Sequence, residues 1–126
     1  MKYEADRNYS FQEIATIPAS ERGWICPRII CKDGFRFSVQ ASSVSYAHPR
    51  NDTGVPYTHF EMGYPSEAPT PAILKYAEDW SNPTECIYPY VPRELIEELI
   101  ELHGGEGSES DLPTPLLRRM NILYDF

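Results

Sequence analysis

The spacing of apolar and polar positions divides the chain into a strand-rich body and one strongly marked helix. From Phe35 to Ala41 every second residue is apolar, which is the period of a half-buried strand. Phe35, Phe37, Val39 and Ala41 take the packed face, and Arg36, Ser38 and Gln40 take the wet one. The run Arg28-Ile29-Ile30-Cys31-Lys32 precedes it across Asp33-Gly34. This predicts a hairpin with a two-residue turn, both of whose residues tolerate positive φ. A second pair is expected from Ser43-Val44-Ser45-Tyr46-Ala47-His48 and the run Tyr57 to Tyr64, joined by the loop 49–56. In that pairing Phe60, Met62 and Tyr64 face the core while His59 and Glu61 face outward. Prolines at 65, 69, 71 and 83 exclude both a long helix and a central strand from the next stretch. It reads as an irregular crossing anchored by Ile73, Leu74, Tyr76 and Trp80. Cys86-Ile87-Tyr88 then forms a last short strand.

The helical period is clearest in Pro92 to His103. Leu95, Ile96, Leu99, Ile100 and His103 make an apolar stripe, and Glu94, Glu97, Glu98 and Glu101 make the opposite face. Proline suits the first turn, where its missing N–H costs nothing, and Gly104 suits the left-handed residue that ends a helix. Upstream, Ser10 and Glu13 have the spacing of a capping box before a short helix that Pro18 stops. Residues 106–113 have the composition of a flexible acidic linker. In the tail, Leu116, Leu117, Met120 and Leu123 recur at helical spacing after Thr114-Pro115. The expected architecture is α+β: a small, mostly antiparallel β-sheet packed by one amphipathic helix (92–103), plus a short C-terminal helix. Residues 1–105 form the single domain, 106–113 the linker, and 114–126 an amphipathic helix that docks on the body or makes a homodimer.

Composition narrows the function classes. The chain of 126 residues has room for one core, and it contains no apolar run of the ~18 residues that would cross a bilayer. The first ten residues lack the apolar centre of a signal peptide, so a soluble, unsecreted, cytoplasmic protein is expected. The net charge is −8, and it is uneven: residues 1–63 hold seven basic and seven acidic side chains, whereas residues 64–126 hold four basic and twelve acidic. Such a field repels phosphate backbones, which argues against direct nucleic-acid binding, and it suits competition for a basic groove on another protein. Cys26, Cys31 and Cys86 are an odd number without C-x-x-C spacing. They fit neither a disulfide framework nor a zinc ribbon; Cys31 and Cys86 read as small buried hydrophobes, and Cys26, before Pro27, as the most accessible thiol.

Candidate chemistry is sparse. His48, His59 and Glu61 offer a two-histidine, one-carboxylate set of the kind that holds a transition metal, and a small metal-dependent enzyme built on them is one alternative. Three histidines in a short chain also fall near one another by chance, and a surface-strand role is favoured; neither a metal nor a cofactor is expected. No nucleophile motif is present, and the glycines at 104, 105 and 107 follow a helix where a phosphate loop would precede one. The Glu94, Glu97, Glu98 and Glu101 row reads first as a solvated face and, in function, as electrostatic contact with a partner. Arg36, Gln40, Tyr46, His48, Arg50, Tyr57, His59, Tyr88 and Tyr90 are the side chains that suit binding, since Tyr and Arg are the usual interface anchors. Among them His48, Arg50, Tyr57 and His59 would serve a second alternative, an oligomeric binder of a nucleotide signal.

The phrases Ser38-Val39-Gln40-Ala41-Ser42, Pro56-Tyr57-Thr58-His59-Phe60-Glu61-Met62-Gly63-Tyr64-Pro65-Ser66 and Tyr90-Val91-Pro92-Arg93-Glu94-Leu95-Ile96-Glu97-Glu98-Leu99-Ile100-Glu101-Leu102-His103-Gly104-Gly105 resemble small uncharacterised proteins of bacteriophage and prophage genomes. The resemblance spans about residues 34–105 and transfers no site residue. It implies a setting in which small acidic proteins act as non-enzymatic accessory factors that bind and inhibit a host protein. The expected function is therefore an anti-defence inhibitor, an anti-CRISPR protein included. It would occlude a nucleic-acid-binding host component through its acidic face in the cytoplasm of the bacterial host.

Overall fold

The computed structural model describes residues 8–107. The fold is α+β, with element order α1 (Phe11–Thr16), α2 (Ala19–Arg22), β1 (Ile29–Ile30), β2 (Arg36–Gln40), β3 (His59–Gly63), α3 (Pro71–Leu74), β4 (Ile87–Pro92) and α4 (Arg93–Leu102). The four strands form an antiparallel meander in the order β1-β2-β3-β4. The expected C-terminal helix, with Leu116, Leu117, Met120 and Leu123, lies outside the described residues. Among the described residues no helix is long and apolar enough to cross a membrane.

One sheet face carries Phe37, Val39, Phe60, Met62, Tyr88 and Val91, all fully buried. Against it α1 sets Phe11, Ile14 and Ala15, with the Phe11 ring 4.8 Å from that of Phe60, and α4 sets Ile96, Leu99 and Ile100. Both helices follow local signals. The capping box of α1 is complete: the Ser10 hydroxyl accepts the Glu13 N–H, and the Glu13 carboxylate accepts the Ser10 N–H. Helix α4 ends in a Schellman arrangement. The Gly105 N–H reaches the Ile100 carbonyl and the Gly104 N–H the Glu101 carbonyl, with both glycines at φ near +90°. His103 completes the stripe by stacking on Phe35 at 4.0 Å and bonding Asp33 Oδ2 at 2.6 Å.

Several expectations are corrected. The Asp33-Gly34 hairpin uses three residues: Gly34 N–H closes on the Cys31 carbonyl, Cys31 N–H on the Phe35 carbonyl, and only Gly34 has positive φ. That is a type I turn followed by a left-handed glycine. Ser43 to His48 is not a strand, since only His48 pairs, across an isolated bridge to His59. The Ser42 hydroxyl draws the Val44 N–H and contacts the Ser45 hydroxyl, so local bonds displace the ladder. Tyr64 leaves the core because its φ of 47° turns it outward after Gly63. Trp80 is exposed in the crossing that Ile73 anchors. Cys26 is buried like the other two thiols.

The start of the expected linker is ordered against the body. Gly105 and Gly107 pair with Lys32 and Ile30, so this strap covers the free edge of β1. From it the Glu106 carboxylate accepts the first N–H of α1, at Phe11, at 3.1 Å. Burial pushes the Glu106 carboxyl above its ordinary range, the Phe11 N–H opposes this, and the neighbouring Glu13 adds to it. The native state therefore binds more protons than the unfolded chain between the ordinary and the raised pKa, and the contribution of Glu106 to stability falls as pH rises through that window. In denaturant titrations from pH 4 to 7, Glu106→Gln should lose less stability, or gain more, than the parent as the pH rises. Equal slopes would mean that the carboxyl is not strained by its surroundings.

Candidate interaction site on the outer sheet face

The outer sheet face is polar, with Ser38, Gln40, His59 and Glu61 projecting from β2 and β3. Gln40 clamps the chain entering β1 by bonding both the N–H and the carbonyl of Cys26. At the other side the β3–β4 pairing contains a bulge: Phe60 faces Val91 and Met62 faces Tyr88, so Glu61 faces both Pro89 and Tyr90. The left-handed position of such a bulge ordinarily holds glycine. Here it holds Tyr90 at φ 56°, a residue 42% exposed. A bulky residue in this region costs about 1–3 kcal/mol, a cost that surrounding contacts must outweigh.

Those contacts come from the segment that failed to become a strand. The Tyr90 N–H donates to the Tyr46 carbonyl at 3.1 Å, and the Tyr46 N–H donates to Glu61 Oε1 at 2.9 Å. The two rings lie 5.9 Å apart at 51°, a tilted aromatic pair, and the Arg50 guanidinium stands 5.0 Å over the Tyr46 ring. Arg50 Nε donates to the Ser43 carbonyl, and the Asp52 carboxylate accepts both the N–H and the hydroxyl of Ser43. The terminal Nη groups of Arg50 have no partner among the described residues. Beside this group His48 and His59 meet edge to face at 5.9 Å, and His59 Nδ1 is bonded to Thr58 Oγ1.

The structure thus brings together His48, Arg50 and His59, along with Tyr46 and Tyr90. It does not add Tyr57, which is fully buried: its hydroxyl accepts the Ala19 N–H and donates to the Asn51 carbonyl. Tyr88 is likewise a core residue, bonded to the Pro83 carbonyl. The metal set is also corrected. His48 and His59 approach each other, but the Glu61 carboxylate is turned to Tyr46, and among the described residues no group of three potential ligands converges. A cleft of about 270 Å³ is lined by Tyr57 and His59 with Pro92, Arg93 and Glu94, and neither His48 nor Arg50 lines it. A second, of about 310 Å³, lies between α1 and the 105–107 strap. Cys26 and Cys31 are poor nucleophiles. Burial raises Cys26 against the opposing effect of Arg22, and burial with Asp33 and Glu106 pushes Cys31 up to about 12.

On the opposite layer, α4 presents Glu94, Glu97, Glu98 and Glu101 to solvent, as its periodicity predicts. Arg93 pairs with Glu97 at 3.2 Å and reaches Gln12 with its other end; the remaining three carboxylates are unpaired among the described residues.

The residue that sequence reasoning missed is Arg22. Although a charged residue of a four-residue helix, it is fully buried, and its guanidinium bonds the carbonyls of Ile14, Ile17, Gly23 and Ala41 and the Cys26 sulfur. All its acceptors but the Cys26 sulfur are backbone carbonyls, drawn from separate segments, so no residue type in the sequence signals them. Comparison of the chain with protein-family models, with curated proteins and with solved structures finds no match.

Proposed function

We propose that this protein is a non-enzymatic factor that binds a partner protein and inhibits it by occlusion, seating the carboxylate face of α4 in a basic groove. The observation that carries this reading is the placement of Glu94, Glu97, Glu98 and Glu101 on the solvent side of a helix held rigidly by Ile96, Leu99 and Ile100. Charge fixed on a rigid element attracts its partner without ordering cost at the moment of contact. In the phage or prophage setting that the sequence resemblance implies, the partner is a host protein in the bacterial cytoplasm. A nucleic-acid-binding defence component, such as a CRISPR effector, has the basic groove required.

The test uses native mass spectrometry of tagged protein purified from a bacterial host at modest salt. A complex is expected that dissociates at high salt, as exposed charge pairs do when the Debye length shortens. Reversing Glu94, Glu97, Glu98 and Glu101 to Lys should abolish it. Reversing Glu21, Glu67, Glu78 and Glu85, exposed elsewhere, changes net charge equally and should leave it intact. Survival of the complex in the first variant, with its circular dichroism unchanged, removes the acidic-face model.

A further inference from the structure

We infer that the cleft at the start of α4 is a socket for one lysine or arginine side chain of the protein partner, an inference that rests on the function proposed for the α4 face and deepens it. The carboxylate row and the cleft are continuous, because Glu94 is the first member of the row and also lines the cleft. A basic groove seated on the row brings cationic side chains to this cleft.

The first ground is the lining. Pro56 and Pro92 supply apolar walls, and Thr58, His59, Arg93 and Glu94 supply polar groups beside them. Such a mixture fits a side chain with a methylene stem and a charged head. The second is the direction of the hydrogen bonds. The Thr58 hydroxyl has one proton and donates it to the His48 carbonyl at 3.2 Å, so its 2.9 Å bond to His59 Nδ1 is donated by the imidazole. The neutral ring then carries its lone pair at Nε2, which accepts and cannot donate. The third is charge. Arg93 lines the cleft but is already committed, its Nε to Glu97 at 3.2 Å and its Nη2 to Gln12 at 2.6 Å. Arg93 and Glu97 offset each other, whereas Glu94, Glu98 and Glu101 have no cationic partner among the described residues. The surplus at the socket is therefore negative, and its two open acceptors, the Glu94 carboxylate and His59 Nε2, call for a charged donor.

The experiment is selection of a displayed library of random twelve-residue peptides on the full chain, followed by fluorescence anisotropy with the enriched peptides. The expected peptides share a Lys or Arg. Their affinity should fall at least about tenfold in His59→Phe, which keeps the size of the ring and removes its acceptor, and in Thr58→Trp, which fills the cleft from an exposed position. Norleucine at the shared basic position should cost about tenfold on the parent and little on His59→Phe, where that contact is already gone. If Thr58→Trp melts below the parent, His59→Phe decides alone. Glu98→Lys combined with Glu101→Lys lies outside the cleft, tests the row by itself and should also weaken binding. Loss in this row variant with none in the two cleft variants overturns the socket and keeps the α4 reading. Loss in the cleft variants with none in the row variant supports the socket and overturns that reading. Peptides without a shared basic residue, or no enriched peptide at all, overturn the socket, and the α4 reading then stands or falls on its own complex in native mass spectrometry.

Discussion

Replacing Arg22 by Ala or Met should cost about 4 kcal/mol or more, a loss reserved for broken buried networks, and should lower the unfolding midpoint by about 15–30 °C in a domain of this size. The guanidinium is fully buried and has no carboxylate partner among the described residues, so its charge is met by carbonyl dipoles and the Cys26 sulfur. Met preserves much of the volume but leaves the Ile14, Ile17, Gly23 and Ala41 carbonyls without their donor, each at about 1–3 kcal/mol where water cannot enter. Lysine should recover less than half of the loss, because one ammonium cannot reach acceptors arranged around a planar fork. Thermal and denaturant unfolding measure this directly. A Met variant within 1 kcal/mol of the parent would show that the network is dispensable.

The second large effect falls on Tyr57, which packs with its ring 5.5 Å from the Arg22 guanidinium. Tyr57→Phe removes the acceptor of the Ala19 N–H and the donor to the Asn51 carbonyl, at an expected cost of about 1–3 kcal/mol. Tyr57→Ala adds a core cavity, for about 3–5 kcal/mol in all, by analogy with other aromatic truncations. Because the two side chains touch, the double variant Arg22→Met with Tyr57→Phe should be less destabilised than the sum, by about 0.5–3 kcal/mol. Strict additivity would mean that they stabilise separate parts of the fold. A loss of ligand binding in Tyr57→Ala would then report unfolding, since the residue faces the interior.

These two residues mark the boundary of what was legible in the sequence. The alternation through β2, the stripe of α4 with its glycine stop and the capping box of α1 are local patterns, each decided by neighbours within a few positions, and all three appear in the structure. The carboxylate face of α4 was legible for the same reason. Arg22 and Tyr57 draw their partners from across the chain, and a lone Arg in Ala-Ser-Glu-Arg or a Tyr beside a loop has the same local pattern whether buried or exposed. The outer site was half legible. Tyr46, His48, Arg50, His59 and Tyr90 were singled out by residue type, but their meeting depends on the bulge opposite Glu61 and on side-chain bonds that keep Ser42 to Ser45 out of the sheet. Glu106 and Gly107 have the local composition of a linker, and only the open edge of β1 gives them a place to bind.

That strap also sets the order in which the fold can be completed during synthesis. Glu106 supplies an acceptor to Phe11, 95 residues earlier, and Gly107 bonds Ile30. A nascent chain that has emerged only through α4 holds every strand of the meander and still shows the backbone of β1 to its surroundings. Such an edge is a template for any extended segment nearby. Closure by so distant a segment is slow relative to hairpin and helix formation. Until residues 105–107 have emerged, that edge is open to pairing with another copy of the chain.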